Sequence, residues 1–118
     1  MARSHTGWYQ GYALDSRWEL AYLIYCLDHG KQIERNSKGF PYTFNGKEHR
    51  YFPDFRVDGK LVEIKGYRTD ISDAKIASVD EPIEVLYKEE LKPIFEYVTT
   101  KTGLTINRLH ELYEPQPI

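Results

Sequence analysis

Apolar residues near the start of the chain recur every three or four positions, which is the spacing of one helix face. The residues concerned are Leu20, Leu23, Ile24 and Leu27. They predict an amphipathic helix over residues 16–29, and Gly30 suits the position just after its end. Ser16-Arg-Trp-Glu19 fits a capping box, in which a glutamate side chain returns to the backbone N–H of the capping serine.

The remaining pattern predicts short strands, tight turns and two further helices. Strands are expected over residues 31–36, 49–57, 60–67 and 83–87. One helix is expected from Thr69 or Asp70 to Val79, and a second over residues 93–103, where Pro93 suits the first turn. The glycine- and aromatic-rich residues 1–13 are interpreted as an irregular N-terminal arm, and residues 14–118 as a single domain.

Asp58-Gly59 separates two of these strands and has the form of a two-residue hairpin turn, because Asp-Gly readily adopts the positive φ values of a type I′ turn. If Val57 pairs with Lys60, Asp54 falls directly opposite Glu63. Side chains alternate along a strand, so Asp54, Glu63 and Lys65 share one face. The opposite face is then apolar and consists of Pro53, Phe55, Val57, Val62 and Ile64.

Two carboxylates that face each other across a strand pair repel. Asp54 opposite Glu63 therefore favours a cation between them, and a divalent metal ion held by oxygen ligands meets that need. Lys65 adds a fixed positive charge beside the pair. The plainer alternative is a structural protein in which these charges are incidental and Lys65 makes a surface salt bridge of little value.

Pro53-Asp54 and Glu63-Ile64-Lys65 resemble the two halves of the motif of the PD-(D/E)xK nuclease superfamily, over roughly residues 14–90. Within it the chain is most similar to the small phage-type junction-resolving endonuclease I. That family also has a glutamate early in its first long helix, here Glu19, but it ends in a strongly basic tail that this chain lacks. The resemblance implies an α/β fold with a restriction-endonuclease-like αβββαβ core, in which a mixed central sheet of about four strands is flanked by helices.

The resemblance also implies a metal-dependent DNA endonuclease that hydrolyses phosphodiester bonds, either structure-specific for junction or branched DNA or nicking. Mg²⁺, for which Mn²⁺ can substitute, would be held by Asp54, Glu63, the Ile64 backbone carbonyl and, directly or through water, Glu19. Lys65 would orient or deprotonate the attacking water or stabilise charge on the phosphate. Two alternatives stay open: a purely capping role for Glu19, and a non-catalytic nucleic-acid-binding protein that keeps the nuclease fold.

Charge is distributed unevenly along the chain, although the net charge is only −2. Residues 1–68 carry 11 Lys or Arg against 8 Asp or Glu, whereas residues 69–118 carry 5 against 10. The first part is basic enough to bind phosphates. The candidate DNA contacts are Arg35, Lys38, His49 and Arg50. An ordinary solvated surface is the alternative for all of them, and for His49 in particular a solvated histidine at a strand end.

Composition sets the remaining expectations. The lone Cys26 cannot form an internal disulfide, which favours a reducing compartment, and its apolar surroundings indicate a small core residue. No apolar run is long enough to span a membrane, and the N-terminus has no signal-peptide core. The cytoplasm of a bacterium or of a phage host is therefore expected. Because one small site cuts one strand, a homodimer is expected, with a monomeric nickase as the alternative.

Overall fold

The structure is a computed structural model and describes residues 6–116. The chain divides into two compact units. One is built from residues 6–32 and 89–116 and is called the terminal unit. The other is built from residues 33–88 and is called the central unit.

The terminal unit begins with a β-hairpin where the sequence predicted an irregular lead-in. Strand β1 (Gly7–Tyr9) pairs antiparallel with β2 (Tyr12–Leu14). Gln10 and Gly11 both have positive φ, of 48° and 85°, which is the conformation of a tight two-residue turn. Trp8 also forms an isolated antiparallel bridge with Glu114, so the hairpin is joined to the far end of the chain.

Helix α1 (Arg17–Asp28) agrees with the helix predicted over 16–29. Ser16 is its N-cap, and the serine hydroxyl accepts a hydrogen bond of 3.1 Å from the Glu19 N–H. His29 is the C-cap, and Gly30 follows it with a φ of 71°, as expected for a residue just past a helix end. Cys26 is fully buried, which confirms its prediction as a core residue.

Helix α3 (Lys88–Thr102) begins before the position that Pro93 indicated, so the predicted start is wrong. Pro93 lies inside the helix instead of in its first turn. Glu89 and Glu90 occupy that first turn, where negative side chains are stabilised by the unpaired N–H groups of the helix. A 3₁₀ helix (Ile106–Leu112) follows α3 near the end of the described residues.

The central unit contains a four-stranded mixed sheet, which confirms the predicted α/β class and strand number. Its strands, in spatial order, are β3 (Ile33–Arg35), β6 (Phe55–Val57), β7 (Lys60–Gly66) and β8 (Ile83–Tyr87). The β3–β6 and β6–β7 pairs are antiparallel, and β7–β8 is parallel. A parallel pair needs a crossover, and helix α2 (Asp70–Ala77) supplies it. Thr69 and Ser72 form a capping box at its start.

A second antiparallel pair in this unit divides the strand predicted over residues 49–57. Within residues 6–116, strand β4 (Phe40–Phe44) pairs only with β5 (Lys47–Tyr51), and the strand of the four-stranded sheet begins at Phe55. The break falls at Phe52-Pro53. Proline has no N–H to donate to a strand ladder, so a continuous strand through residue 53 is disfavoured.

The predicted register of the β6–β7 hairpin is confirmed. Val57 faces Lys60 and Phe55 faces Val62, while Asp58 and Gly59 form the turn with φ values of 49° and 84°. The predicted apolar face is buried at Pro53, Phe55, Val57 and Val62 and half-buried at Ile64. None of the helices within residues 6–116 is long and apolar enough to cross a membrane.

Candidate functional site

The β6–β7 pair brings Asp54 and Glu63 together. Asp54 lies at a bend just before β6, and its backbone N–H donates a 3.1 Å hydrogen bond to Glu63 Oε1. The Ile64 N–H in turn donates a 2.8 Å hydrogen bond to Asp54 Oδ2. Each carboxylate is therefore held by the backbone of the opposite strand, in the position that the register predicted. Asp54 is half-buried and Glu63 is only 8% exposed.

Asn36 fixes the bend that carries Asp54. Its backbone N–H donates to the Asp54 carbonyl (3.2 Å), and its side-chain amide donates to the Pro53 carbonyl (3.0 Å). The same amide reaches the Lys38 carbonyl at 2.8 Å. Asn36 follows β3 and was not among the predicted site residues, because these are backbone contacts across the sheet that no local pattern reveals.

Lys65 lies at an irregularity in β7. The parallel register with β8 shifts between Ile64 and Gly66, so Lys65 is an extra residue in the strand, and Gly66 adopts a φ of 80°. Bulges of this kind redirect side chains and are frequent beside functional sites. The Lys65 ammonium remains close enough to Glu63 to lower that carboxyl's pKa. The sequence predicted the proximity but not the bulge.

Burial dominates the electrostatics of Glu63. It raises the pKa of this carboxyl above its usual value, and the Tyr51 hydroxyl, the Lys65 ammonium and Asp54 together only partly oppose the shift. A buried carboxylate without full compensation is costly. The site therefore gains stability from any additional positive charge that reaches it.

Tyr51, the last residue of β5, is the principal site residue that the sequence did not indicate. It is only 5% exposed, and the Lys75 ammonium on α2 lies 5.9 Å from its ring centroid. Burial first, and then the charges of Glu63 and Asp54, raise the pKa of its hydroxyl well above the usual range. The hydroxyl influences the pKa of Glu63, yet within residues 6–116 no acceptor meets it at hydrogen-bond geometry.

The donor set suits a hard divalent cation. Two adjacent carboxylates offer the oxygen ligands that Mg²⁺ and Mn²⁺ prefer, and the Tyr51 hydroxyl beside them forms no well-aligned hydrogen bond within residues 6–116. Across residues 6–116 there is no group of three or more His, Cys, Asp or Glu side chains able to hold a metal ion. An ion here would therefore take its remaining ligands from water, from substrate or from a backbone carbonyl such as that of Ile64.

Glu19 lies in the terminal unit, near the start of α1, and is only 6% exposed. Its Oε1 accepts a 3.0 Å hydrogen bond from the Asp15 N–H, one residue before the serine that the capping box predicted. The carboxylate also contributes, after burial, to raising the pKa of Tyr113 to about 12. A capping contact is thus present, and the metal-associated role of Glu19 stays a prediction.

Of the predicted DNA contacts, Arg35 and Lys38 are already engaged within the central unit. The Arg35 guanidinium lies 4.8 Å from the centroid of the buried Phe55 ring. The Lys38 ammonium forms a 3.0 Å ion pair with Glu81. Arg35 and Lys38 therefore have structural contacts that the sequence did not show.

The other two predicted contacts lie on β5 and are exposed. His49 stacks on the facing Tyr42, with 5.2 Å between ring centroids. The Arg50 guanidinium donates a long hydrogen bond of 3.4 Å to the Gly39 carbonyl. Both side chains remain accessible to an external partner.

Two exposed aromatic residues flank the strand segments that carry the carboxylates. Phe52, just before Pro53-Asp54, is 52% exposed, and Tyr67, just after Lys65-Gly66, is 74% exposed. The Phe52 ring lies directly on the Gly39 backbone, where a side-chain Cβ would come within 2.8 Å of it. An aromatic ring packed against a glycine on one side and exposed on the other is available for stacking.

Comparisons with protein-family models, with curated proteins and with solved structures found no match to this chain.

Proposed function

We propose that this protein is a metal-dependent DNA endonuclease of the PD-(D/E)xK type, with a restriction-endonuclease-like core. The observation that supports it most is the reciprocal arrangement of Asp54 and Glu63. Each carboxylate accepts a hydrogen bond from the backbone of the other's strand, at 3.1 and 2.8 Å, with Lys65 beside them. Two carboxylates and a lysine in one partly desolvated place match the needs of phosphodiester hydrolysis.

The chemistry requires a cation to neutralise phosphate charge and activate water, and bound Mg²⁺ or Mn²⁺ would supply both. Asp54 and Glu63 would hold it. Lys65 would stabilise negative charge that develops on the phosphate or take a proton from the attacking water. Burial of Glu63 excludes bulk water and strengthens each of these interactions.

The exposed surface of the central unit supports nucleic acid as the partner. Arg50 and His49 offer charge and hydrogen bonding for phosphates, and Phe52 and Tyr67 offer rings on which unpaired bases can stack. This combination favours DNA that is branched, nicked or otherwise locally unpaired. A homodimer acting in the cytoplasm remains part of the proposal.

A plasmid-nicking assay tests the function. We expect the wild type to relax supercoiled DNA with Mg²⁺ or Mn²⁺ and to be inactive in a chelator. Asp54→Asn and Glu63→Gln should each reduce cleavage by more than about 100-fold, because several kcal/mol of transition-state stabilisation depend on the ion. Glu48→Gln is the matched control, since Glu48 is an exposed acid of the neighbouring β5. Unchanged Mg²⁺-dependent activity in both site variants would exclude this site.

Glu19→Gln separates capping from a metal-associated role. The glutamine oxygen can still accept the Asp15 N–H, so stability should be retained in either case. We expect turnover at saturating Mg²⁺ to fall sharply, with a smaller effect on metal affinity because Asp54 and Glu63 remain. Near-normal cleavage would assign Glu19 a structural role.

A non-catalytic nucleic-acid-binding protein is the second candidate. The observation in its favour is that Asp54 and Glu63 belong to no group of three or more potential metal ligands within residues 6–116. Binding of DNA by the wild type without nicking, in both Mg²⁺ and Mn²⁺, would decide for it.

A further inference from the structure

Tyr51 presents a buried hydroxyl that forms no well-aligned hydrogen bond within residues 6–116, although the Glu63 carboxylate lies beside it. The residue ends β5, its Cα is paired with that of Phe40, and its side chain is only 5% exposed. Within residues 6–116 no group accepts or donates a hydrogen bond at its hydroxyl oxygen. Buried polar groups are almost always hydrogen-bonded, because an unsatisfied one forfeits its interaction with water. A buried tyrosine hydroxyl without a well-aligned partner therefore favours a ligand that can accept its hydrogen bond.

The surroundings of the hydroxyl identify the chemistry of that partner. Glu63 acts on it both through its charge and as a hydrogen-bonding neighbour, and Asp54 acts on it through its charge, so the hydroxyl lies beside the carboxylate pair. One oxygen of each carboxylate already accepts a backbone N–H, from Asp54 and Ile64 respectively. A tyrosine hydroxyl ordinarily keeps its proton at physiological pH, so it can act as a hydrogen-bond donor here.

A positively charged group lies over the face of the ring. The Lys75 ammonium is 5.9 Å from the Tyr51 ring centroid, and α2 carries it there. A neutral donor with two carboxylates beside it and an ammonium over its ring suits a ligand that accepts hydrogen bonds through oxygen. A water molecule and a phosphate oxygen both have this chemistry.

We propose that Tyr51 is a positioning residue of this site, whose hydroxyl donates a hydrogen bond to an oxygen ligand bound at the Asp54–Glu63 pair. The inference rests on the proposed function, because that ligand is the water or the phosphate oxygen that takes part in hydrolysis. With Tyr51 included, a third strand, β5, contributes to the site. The interruption at Phe52-Pro53 lets β5 end beside the carboxylates while β6 continues in the four-stranded sheet.

Tyr51→Phe tests the proposal because it removes the hydroxyl and keeps the ring. Without metal, the variant should be at least as stable as the wild type, since the deleted hydroxyl forms no well-aligned hydrogen bond within residues 6–116. With ligand, binding should weaken about tenfold, which corresponds to ~1.4 kcal/mol. Tyr97→Phe is the matched control: its hydroxyl donates a 2.7 Å hydrogen bond to Asp28, so this variant should lose some stability without any change in ligand affinity.

Two arms distinguish the sources of the oxygen ligand. Calorimetric titration with Mg²⁺ alone measures the site with water as ligand, and titration of inorganic phosphate into protein saturated with Mg²⁺ measures it with phosphate. A tenfold loss in the Mg²⁺ arm assigns the hydroxyl to water, and a loss confined to the second arm assigns it to phosphate. Melting temperatures with and without Mg²⁺ provide a readout that is independent of turnover.

The possible outcomes distinguish failure of the proposed role of Tyr51 from failure of the proposed nuclease function. A wild type that nicks DNA, together with a Tyr51→Phe variant that binds both ligands normally and nicks at the wild-type rate, overturns the role of Tyr51 and leaves the nuclease proposal intact. Lower stability of Tyr51→Phe without metal, combined with normal binding, also overturns it, because the hydroxyl is then purely structural. A wild type that neither binds Mg²⁺ nor nicks DNA removes both proposals.

Discussion

The central unit contains two hairpins that are closed by the same kind of turn and yet have opposite characters. Asn45-Gly46 joins β4 to β5 with φ values of 53° and 75°, and Asp58-Gly59 joins β6 to β7 with 49° and 84°. The residues from Lys47 to Arg50 in β5 are all exposed, whereas those from Leu61 to Glu63 in β7 are all buried. The turn determines that a hairpin forms, but not where it is placed.

Side-chain pattern explains the difference. Leu61, Val62 and Ile64 make β7 apolar on both faces, which suits a central strand, and β7 pairs with β6 on one side and β8 on the other. The polar run of β5 cannot be buried in this way, and among the strands of the described residues β5 pairs with β4 alone. As a result Glu63 is desolvated while Glu48 remains in water. The same residue type acquires different chemistry from the strand that carries it.

The comparison assigns catalysis to the buried β6–β7 hairpin and DNA binding to the exposed β4–β5 hairpin. Substitution of Lys65 tests the catalytic assignment. Lys65→Met should reduce cleavage by about 100-fold, the loss typical of removing one charge-stabilising donor. Lys47→Met, the corresponding deletion of a lysine on β5, should leave turnover unchanged. Plasmid nicking at saturating Mg²⁺ measures both, and equal losses in the two variants would contradict the division of roles.

Alanine at the two turn glycines tests whether the turns are energetically equivalent. A Cβ at Gly46 or Gly59 would meet no atom of residues 6–116 within 4 Å, so each substitution reports the cost of positive φ. Gly46→Ala and Gly59→Ala should each lower the free energy of unfolding by about 1–2 kcal/mol. Urea denaturation measures this loss. A much larger loss at Gly59 would show that burial of β6–β7 adds strain to the turn itself.

Substitution of Arg50 tests whether the exposed β4–β5 hairpin binds DNA. Arg50→Glu should weaken DNA binding and lower the slope of log affinity against log salt by about 1, as expected for one lost phosphate contact. Lys38→Glu should have a smaller effect on binding because Lys38 is already paired with Glu81. Lys92→Glu, on the exposed side of α3, is the control. If titrations at several salt concentrations show a larger loss of DNA affinity for Lys92→Glu than for Arg50→Glu, DNA does not bind at β5.

The smallest expected effect is the change in the free energy of unfolding caused by Glu63→Gln. Because burial raises the pKa of Glu63, the folded state binds its proton more tightly than the unfolded state does. This contribution to stability is complete below the unfolded-state pKa and is lost as the pH rises through the folded-state pKa. Glu63→Gln should therefore be more stable than the wild type at pH 7 without metal, by about 0.2–1 kcal/mol, the range for opposed charges on paired strands.

Melting curves from pH 4 to pH 8 measure this gain, which should disappear at the acidic end. Glu48→Gln should follow the wild-type curve throughout, because Glu48 is exposed. Saturating Mg²⁺ should reverse the order, because only the wild type keeps both carboxylates for the ion. A Glu63→Gln variant less stable than the wild type at every pH would mean that the carboxylate is already compensated within the protein.

Local sequence predicted those features that depend on neighbours along the chain. Two-residue turns have strong conformational requirements, so Asp58-Gly59 fixed the register that brings Asp54 to Glu63. Helix α1 followed from its apolar spacing and from Ser16, whose hydroxyl needs only the next turn of backbone to cap the helix. The four strands of the mixed sheet followed from short apolar runs between turn residues.

Tertiary structure decided what depends on residues distant in sequence. The division of residues 49–57 between two strand pairs, the bulge at Lys65 and the hold of Asn36 on the Asp54 bend all require partners from other elements. Tyr51 shows the limit most clearly. Its sequence position gives it a place in a strand, but only folding buries its hydroxyl beside two carboxylates, because burial and unmet hydrogen bonds are properties of packed surroundings.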